Sequence, residues 1–517
     1  MKKLRTIFFS FSLLLFLVHS VSAEQTPIRI LYLNDFHGFA EHYKPFGSDR
    51  MLGGVAYLAA KVTLLRNEKP SLLLAAGDMI QGNNWANLFQ GESVIELMNE
   101  MKFDAMVLGN HEFDYGQEVL RKRIREAQFP ILGANIQGLD TVRSYVIKEI
   151  SGVRIAIIGI VTEDTPVSTH PKNVAGLRFV PASTSVQKYI DELKDKASII
   201  IVLSHNGYFN DRILAEKTKG IDVIVGGHSH TKVLSPAVIG NTILVQAWEH
   251  AKALGVLDLT VEDGKIVSFD GHLEEIFPEP GKGDCTVMSI VDTYRRKVDA
   301  VLNETIGEAS LDLDGENVRT RETNLGNFVA DRMKEISGAD AAIINGGSIR
   351  ASIKKGPLSV KDIYTALPFD NYIVAIKLTG KQILETLEHG VSAVEKGEGR
   401  FPQVSGITFT YSLAAPPGSR VRKVAISQKP LVSDKEYVVA TNDFLAAGGD
   451  GYKAFGEAVR SSGNFSITGG LMKGDNLMYS DSGRWLRDVI AEYIRENKRI
   501  SPVGEERITE VHESLPE

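Results

Sequence analysis

"VLGNHEFDYG", residues 107–116, leaves an apolar run and then sets an amide, an imidazole and two carboxylates within the five residues Asn110 to Asp114. Open α/β sheets place their ligands at the carboxyl ends of strands, so polar chemistry of this density directly behind a buried strand is read as a site. The pattern recurs through the first half of the chain. "IRILYLND", "SLLLAAGD", "AMVLGN", "RIAIIGIV", "SIIIVLSH", "DVIVGGH" and "TILVQAW" are short apolar runs separated by helical stretches, and several end on a polar cluster. Their continuous hydrophobicity means strands covered on both faces, as in a layered α/β sandwich.

The strand ends carry Asp35 and His37 in "LNDFHG", Asp78 in "AAGDMIQGN", Asn110 and His111, His205 in "LSHNG", and His228 and His230 in "VGGHSH". Any one of them alone reads as a helix cap or a satisfied surface group. Five such clusters behind five apolar strands read as one site, because parallel strands deliver their ends to a common edge. In an extended segment residues i and i+2 point the same way, so Asp35/His37 and His228/His230 are each expected to present two ligands to one side. The chain has a single cysteine, Cys285, so a metal centre must be built from His, Asp, Asn and Glu, a donor set that suits zinc, manganese or iron. The inventory suffices for two cations about 3.5 to 4 Å apart sharing one carboxylate. Asp78, alone in its loop, is the natural bridge.

With 517 residues, 43% hydrophobic and 24% charged, the chain is expected to form about two to four globular domains. A net charge of -7 argues against a broad basic face for nucleic-acid polymers. Residues 1–23, "MKKLRTIFFSFSLLLFLVHSVSA", combine a basic start, an apolar run and a small-residue end, which is the pattern of a cleaved secretory leader. The expected product is exported, to periplasm or medium, without a membrane anchor. A first domain is expected over 24–278. Proline and glycine in "EIFPEPGKGD" mark a break, and residues 285–304 read as an amphipathic helix within a linker over 279–304. Strands and helices alternate again over 305–517. Only two of the 12 histidines, His389 and His512, follow His272, which assigns metal chemistry to the first half.

"LNDFHG", "GDMIQG", "GNHEFDYG", "SHNG" and "GGHSHT", in this order and spacing, resemble the motifs of calcineurin-like metallophosphoesterases, and of the 5'-nucleotidase family in particular. "VRTRETNLGNFVADRM", "IINGGSIRASIKKG", "ALPFDNY" and "NDFLAAGGDGY" resemble that family's C-terminal domain, so the resemblance covers nearly the whole mature chain. It implies a four-layer αββα sandwich joined by a helical linker to a smaller α/β substrate-binding domain. It implies two divalent metal ions, zinc, manganese or similar, one held by Asp35, His37, Asp78 and His230 and the other by Asp78, Asn110, His205 and His228. Some members carry Gln at the position of His230. On the substrate side it implies Arg319, Asn345 and Arg350 near phosphate and ribose, Phe369 and Phe444 clamping the base, and Asn371 and Asp450 on base and ribose hydroxyls. Such a pocket is chemically coherent, since guanidinium forks suit phosphate and ring stacking tolerates any base.

The implied reaction is hydrolysis of a nucleoside 5'-phosphate, with a hydroxide bridging the two metals attacking phosphorus in line. His111 follows a ligand yet is implied to face the substrate, as a cation or general acid for the leaving group, with Asp114 orienting it. Glu112 is assigned to structure, and Gly109 and Gly116 to the turns. The rival readings on the same scaffold are a 2',3'-cyclic-nucleotide 2'-phosphodiesterase/3'-nucleotidase and a UDP-sugar hydrolase. From another class, the rival is a periplasmic nucleotide-binding protein without turnover.

Overall fold

Period-two alternation inside the apolar runs builds two facing six-stranded sheets. A computed structural model of the chain describes residues 25–45, 49–169, 171–463, 466–468, 471–480 and 484–511; the leader read at residues 1–23 lies outside the described residues. The first sheet runs Lys265–Glu275, Ala253–Glu262, Thr26–Leu33, Ser71–Ala75, Ala105–Val107, Ile131–Leu132, and the second runs Ala237–Ile239, Thr242–Gln246, Val223–Gly226, Ile199–His205, Val153–Val161, Tyr145–Ile150. Along Val153–Val161, Ile155, Ile157 and Val161 enter the core between the sheets. Ala156, Ile158 and Ile160 pack outward with Val186, Ile190 and Leu214 of the helices Ala182–Leu193 and Tyr208–Lys217. Helices Val55–Glu68 and Glu92–Glu100 cover the first sheet from the other side. The layers are therefore helix, sheet, sheet, helix.

All seven apolar runs form strands, whereas the hairpin of Ala253–Glu262 and Lys265–Glu275 is an addition that the sequence reading did not single out. Its signal is the Asp-Gly pair: Asp263 and Gly264 take φ of 50° and 74° between paired Glu262 and Lys265, which is the two-residue turn that matches strand twist.

The second domain centres on a five-stranded sheet ordered Pro402–Ser405, Ala341–Asn345, Glu436–Asn442, Ile373–Thr379, Leu477–Ser480. Ile373 and Ala375 face the helices Asn324–Ser337 and Leu486–Asn497, while Val374, Ile376 and Leu378 face Gly380–Gly390 and Lys453–Arg460. The expected amphipathic helix spans Cys285–Leu302, with the Asp284 side chain accepting from Val287 N at 3.0 Å as its N-cap. Its apolar stripe serves both halves: Val287, Val291 and Tyr294 belong to the first core, Val298 and Leu302 to the second. No helix among the described residues is long and apolar enough to cross a membrane.

One buried carboxyl is a liability at neutral pH. Asp211 is fully buried, accepts from Ser204 Oγ at 2.6 Å, and is pushed up by burial to about 7. An acid whose folded pKa lies above its unfolded value near 3.8 favours the fold while protonated in both states, and that advantage is lost as pH rises toward 7. The loss is about 1.4 kcal/mol per pKa unit. Asp211→Asn is therefore expected to flatten the thermal-unfolding midpoint between pH 4 and 7 and to raise it above pH 7. A midpoint that falls at pH 8 would contradict this.

Candidate metal and substrate site

Parallel register brings three loops of the first sheet to one edge: Leu33 lies beside Ala75, and Ala75 beside Met106. Asp35, Asp78 and Asn110 follow within a few residues. Ile199–His205 and Val223–Gly226, parallel in the second sheet, bring His205 and then His228 and His230 to the same place. Two triads result, Asp35/His37/His230 and Asp78/His205/His228, each with its ligand atoms within 4.8 Å of one another. Asp78 lies between them: its Oδ2 is 3.1 Å from His205 Nε2 and 3.8 Å from His37 Nε2. His37 Nε2 and His230 Nε2 are 3.3 Å apart, and His230 Nε2 is 3.3 Å from Asp35 Oδ1.

The i, i+2 expectation needs correction. Asp35, His37, Asp78, His228 and His230 all have positive φ, between 49° and 75°, so these segments are not extended. Asp35 and His37 do share a triad, but His228 and His230 are parted between the two. Five non-glycine residues in the left-handed region at one spot is strain retained where surrounding structure dictates it. At Asp78 that dictation comes from Glu112. Its buried carboxylate accepts from Asp78 N at 2.9 Å, Met79 N at 2.7 Å, Ile80 N at 3.2 Å and Gly109 N at 2.5 Å. Burial, with the nearby Asp78 charge, pushes its pKa up to about 7 against those four donors. Gly109 is required for close approach rather than for a turn: a Cβ there would meet Asp78 Oδ1 at 2.2 Å. Gly116, at φ 80°, is a true turn glycine.

The donor set fits divalent cations. Asn110 gives its Nδ2 to Ser168 O at 3.1 Å, and its buried Oδ1 has no partner. His205 hydrogen-bonds Ala76 O through Nδ1 at 2.7 Å, and its Nε2 is buried without a hydrogen bond although Asp78 is close. His37 likewise spends Nδ1 on Gln81 O at 2.7 Å, which leaves Nε2 as the basic nitrogen. Burial, aided by the Arg350 charge, holds His37 well below its usual pKa, and burial with His205 holds His228 at about 3, so both are neutral bases. At His205 burial is outweighed by the Asp78 carboxylate, and the pKa rises to about 10.

His111 stands beside this group without joining either triad. Its Nδ1 is 2.7 Å from Asp114 Oδ2, and its ring lies 5.7 Å from that of Phe369 and 5.4 Å from that of His37. Burial would lower its pKa, but Asp114 and Asp78 outweigh it and raise it. Asp114 is itself fixed by Thr169 Oγ1 at 2.6 Å and, through its carbonyl, by Asn173 Nδ2 at 2.8 Å.

A cleft of about 1460 Å³ runs from these residues into the second domain, lined by Arg319, Asn345, Arg350, Phe369, Asn371, Phe444 and Asp450 together with Asp78, Asn110, His111, Asp114, His228 and His230. Asp35, His37 and His205, all fully buried, lie beneath its wall. Asn345 is almost wholly engaged: Nδ2 donates to Asp450 Oδ2 at 2.6 Å, and Oδ1 accepts from Ser348 Oγ and Asn442 Nδ2. Phe444 lies so close to Gly449 that a Cβ there would meet its ring at 2.4 Å. Arg350 reaches across the cleft to 3.0 Å from His37 Nε2. That lone pair can serve the guanidinium or a cation, not both. Burial and Arg319 lower Arg350 to about 10, where it is still charged at neutral pH.

The sequence reading missed Thr169, Ser168, Glu249 and His250. The last two follow the strand Thr242–Gln246 in "AWEHAK", the same signal of a polar pair behind an apolar run. Ser168 and Thr169 act from the C-terminal end of the one-turn helix Thr165–Ser168, which follows no such pattern.

The chain matches the family model of the calcineurin-like phosphoesterase over residues 28–232 and that of the 5'-nucleotidase C-terminal domain over 303–457. It is 32% identical over 542 residues to the 5'-nucleotidase of Homo sapiens, covering 93% of this chain and 90% of that protein. It is 34% identical over 540 residues to a trifunctional nucleotide phosphoesterase protein of Bacillus subtilis, covering 94% of this chain but only 35% of that longer protein. The crystal structure of a 5'-nucleotidase precursor from Thermus thermophilus superposes with a TM-score of 0.84 at 34% identity, covering 94% of this chain and all of that one.

Proposed function

Since the chain belongs to the 5'-nucleotidase family and is a metal-dependent phosphomonoesterase, we propose that it is exported and hydrolyses nucleoside 5'-phosphates to nucleoside and phosphate. The observation that carries this reading is one cleft whose lining joins Asp78, His228 and His230 of the two carboxylate–histidine triads to the His111–Asp114 pair and to Phe369 and Phe444. We further assign residues 24–278 and 305–517 to the two domains, with 279–304 between them.

In this reading Asp35, His37, Asp78 and His230 hold one cation and Asp78, Asn110, His205 and His228 the other. Bound divalent cations polarise phosphoryl oxygens and acidify water. The chain supplies the rest. Phe369 and Phe444 hold the base between their faces, and Asp450, kept in place by Asn345, accepts from ribose hydroxyls. Arg319 and Arg350 pair with the phosphate, Arg350 giving up its contact with His37. Asp114 accepts a hydrogen bond from the Nδ1–H of His111, so Nε2 is the nitrogen left to protonate or stabilise the departing 5'-oxygen.

The test is phosphate release by the purified chain, with manganese, zinc, cobalt or magnesium added, from AMP, 3'-AMP, 2',3'-cyclic AMP, ATP and UDP-glucose. The largest kcat/KM is expected for AMP. Similarity to the trifunctional Bacillus protein supports a second reading with broader phosphoester specificity, and a preference for 2',3'-cyclic AMP or UDP-glucose would replace the first reading with it.

A further inference from the structure

We propose that Glu249 is a positioning residue for the metal centre: acting through His230, it fixes which imidazole nitrogen is offered to the cation that Asp35 and His37 share. The inference rests on the ligand role proposed for His230. The Nδ1 of His230 is hydrogen-bonded to Glu249 Oε2, while Nε2 faces Asp35 Oδ1 at 3.3 Å. An imidazole whose Nδ1 proton is held by a carboxylate keeps its Nε2 lone pair for a cation, and the carboxylate makes that nitrogen more basic.

Glu249 is held in its turn. Its Oε1 accepts from Lys252 Nζ at 2.5 Å, and Lys252, only 4% exposed, lies over the Trp248 ring at 3.9 Å. The backbone is shaped to this end: Trp248, His250 and Ala251 have φ of 70°, 55° and 53°. Asn34, next to Asp35, clamps the segment by donating to Trp248 O at 2.6 Å and accepting from Ala247 N at 2.8 Å. Strain in three non-glycine residues persists only where the surroundings over-determine it, and here the result is that Glu249 is aimed at His230. His250 stands in the same cluster with His230 and Glu249, but it is engaged elsewhere. It stacks on Phe39 with centroids 3.8 Å apart and an angle of 15°, and its Nδ1 is 3.0 Å from Tyr43 Oη. The Lys252 ammonium on Glu249 also repels a further cation at that point.

The test is calorimetric titration of the chelator-treated full chain with manganese, comparing wild type, Glu249→Ala, Glu249→Gln and His230→Ala. Glu249→Ala is expected to weaken one of two ions by about 10- to 100-fold and to leave the other unchanged. Glu249→Gln, which keeps an acceptor oxygen, falls between, and it carries the test if the alanine variant does not fold. Wild-type affinity for both ions in Glu249→Ala, with one ion lost in His230→Ala, overturns the inference alone. Wild-type affinity in His230→Ala removes the ligand reading on which it rests. A third ion in the wild type that vanishes in Glu249→Ala makes Glu249 a ligand and also overturns it. Thermal unfolding of the metal-free variants separates positioning from folding: an unchanged midpoint supports the proposal, and a midpoint lowered in step with affinity overturns it.

Discussion

His111→Ala is expected to lower kcat for AMP by about 10²- to 10⁴-fold, the range that a positioned general acid or cation supplies, while both cations stay bound at wild-type affinity. The asymmetry follows from position. His111 lies next to Asn110, and its backbone N–H donates to Asp78 Oδ1 at 3.0 Å, yet its side chain is turned to Asp114 and Phe369. Alanine keeps the backbone bond and removes only the ring. Asp114→Asn should produce a large part of the same loss, because an amide can present its nitrogen to Nδ1 and then favours the wrong tautomer. Manganese titration and steady-state kinetics on the same preparations check both statements. A His111→Ala protein that has lost an ion would show that the ring is a ligand, and retained turnover would remove it from the reaction.

How far the site can be read from the sequence follows from what generates each part. Strand ends are legible because period-two burial and continuous hydrophobicity are local properties: Ile155 and Ile157 face one core and Ala156 and Ile158 the other. Parallel order then places Asp78 and Asn110 together at one edge of the first sheet, and His205, which ends a strand of the second sheet, joins them through the packing of the two sheets. The pairing of His228 and His230 with different triads is not legible in this way, because their left-handed φ values are imposed by contacts such as His228 N to the Asp35 carboxylate at 3.0 Å. Glu112 could be assigned to structure from its place among ligands, but its four backbone donors come partly from the 78–80 loop, more than thirty residues away. Thr169 and Glu249 act through other side chains from loops remote in sequence. The approach of Arg350 to His37 depends on how the two domains meet, which no local pattern encodes.

Asp78→Asn is expected to weaken both cations together by about 10²- to 10⁴-fold, which is 3–5 kcal/mol for removing one partner from a buried set of charges, and to take phosphate release down with them. Asparagine has nearly the same shape, so the substitution isolates charge. The Oδ1 that accepts from His111 N can be kept. The Oδ2 that lies 3.1 Å from His205 Nε2 and 3.8 Å from His37 Nε2 becomes an amide donor facing two nitrogens that belong to the proposed ligand set. Burial penalises the Asp78 carboxylate, yet the surrounding His205, His111 and His37 hold its pKa well below the usual range, so it is charged at neutral pH. The loop itself should survive, because its Asp78, Met79 and Ile80 amides remain on Glu112. Asp35→Asn is the control. Asp35 groups with His37 and His230, whereas Asp78, grouped with His205 and His228, also lies 3.8 Å from His37 of the other triad, so Asp35→Asn should lose one ion in a two-site titration where Asp78→Asn loses affinity at both. If Asp78→Asn affects a single ion, the carboxylate is not shared, and the two triads must be treated as independent sites.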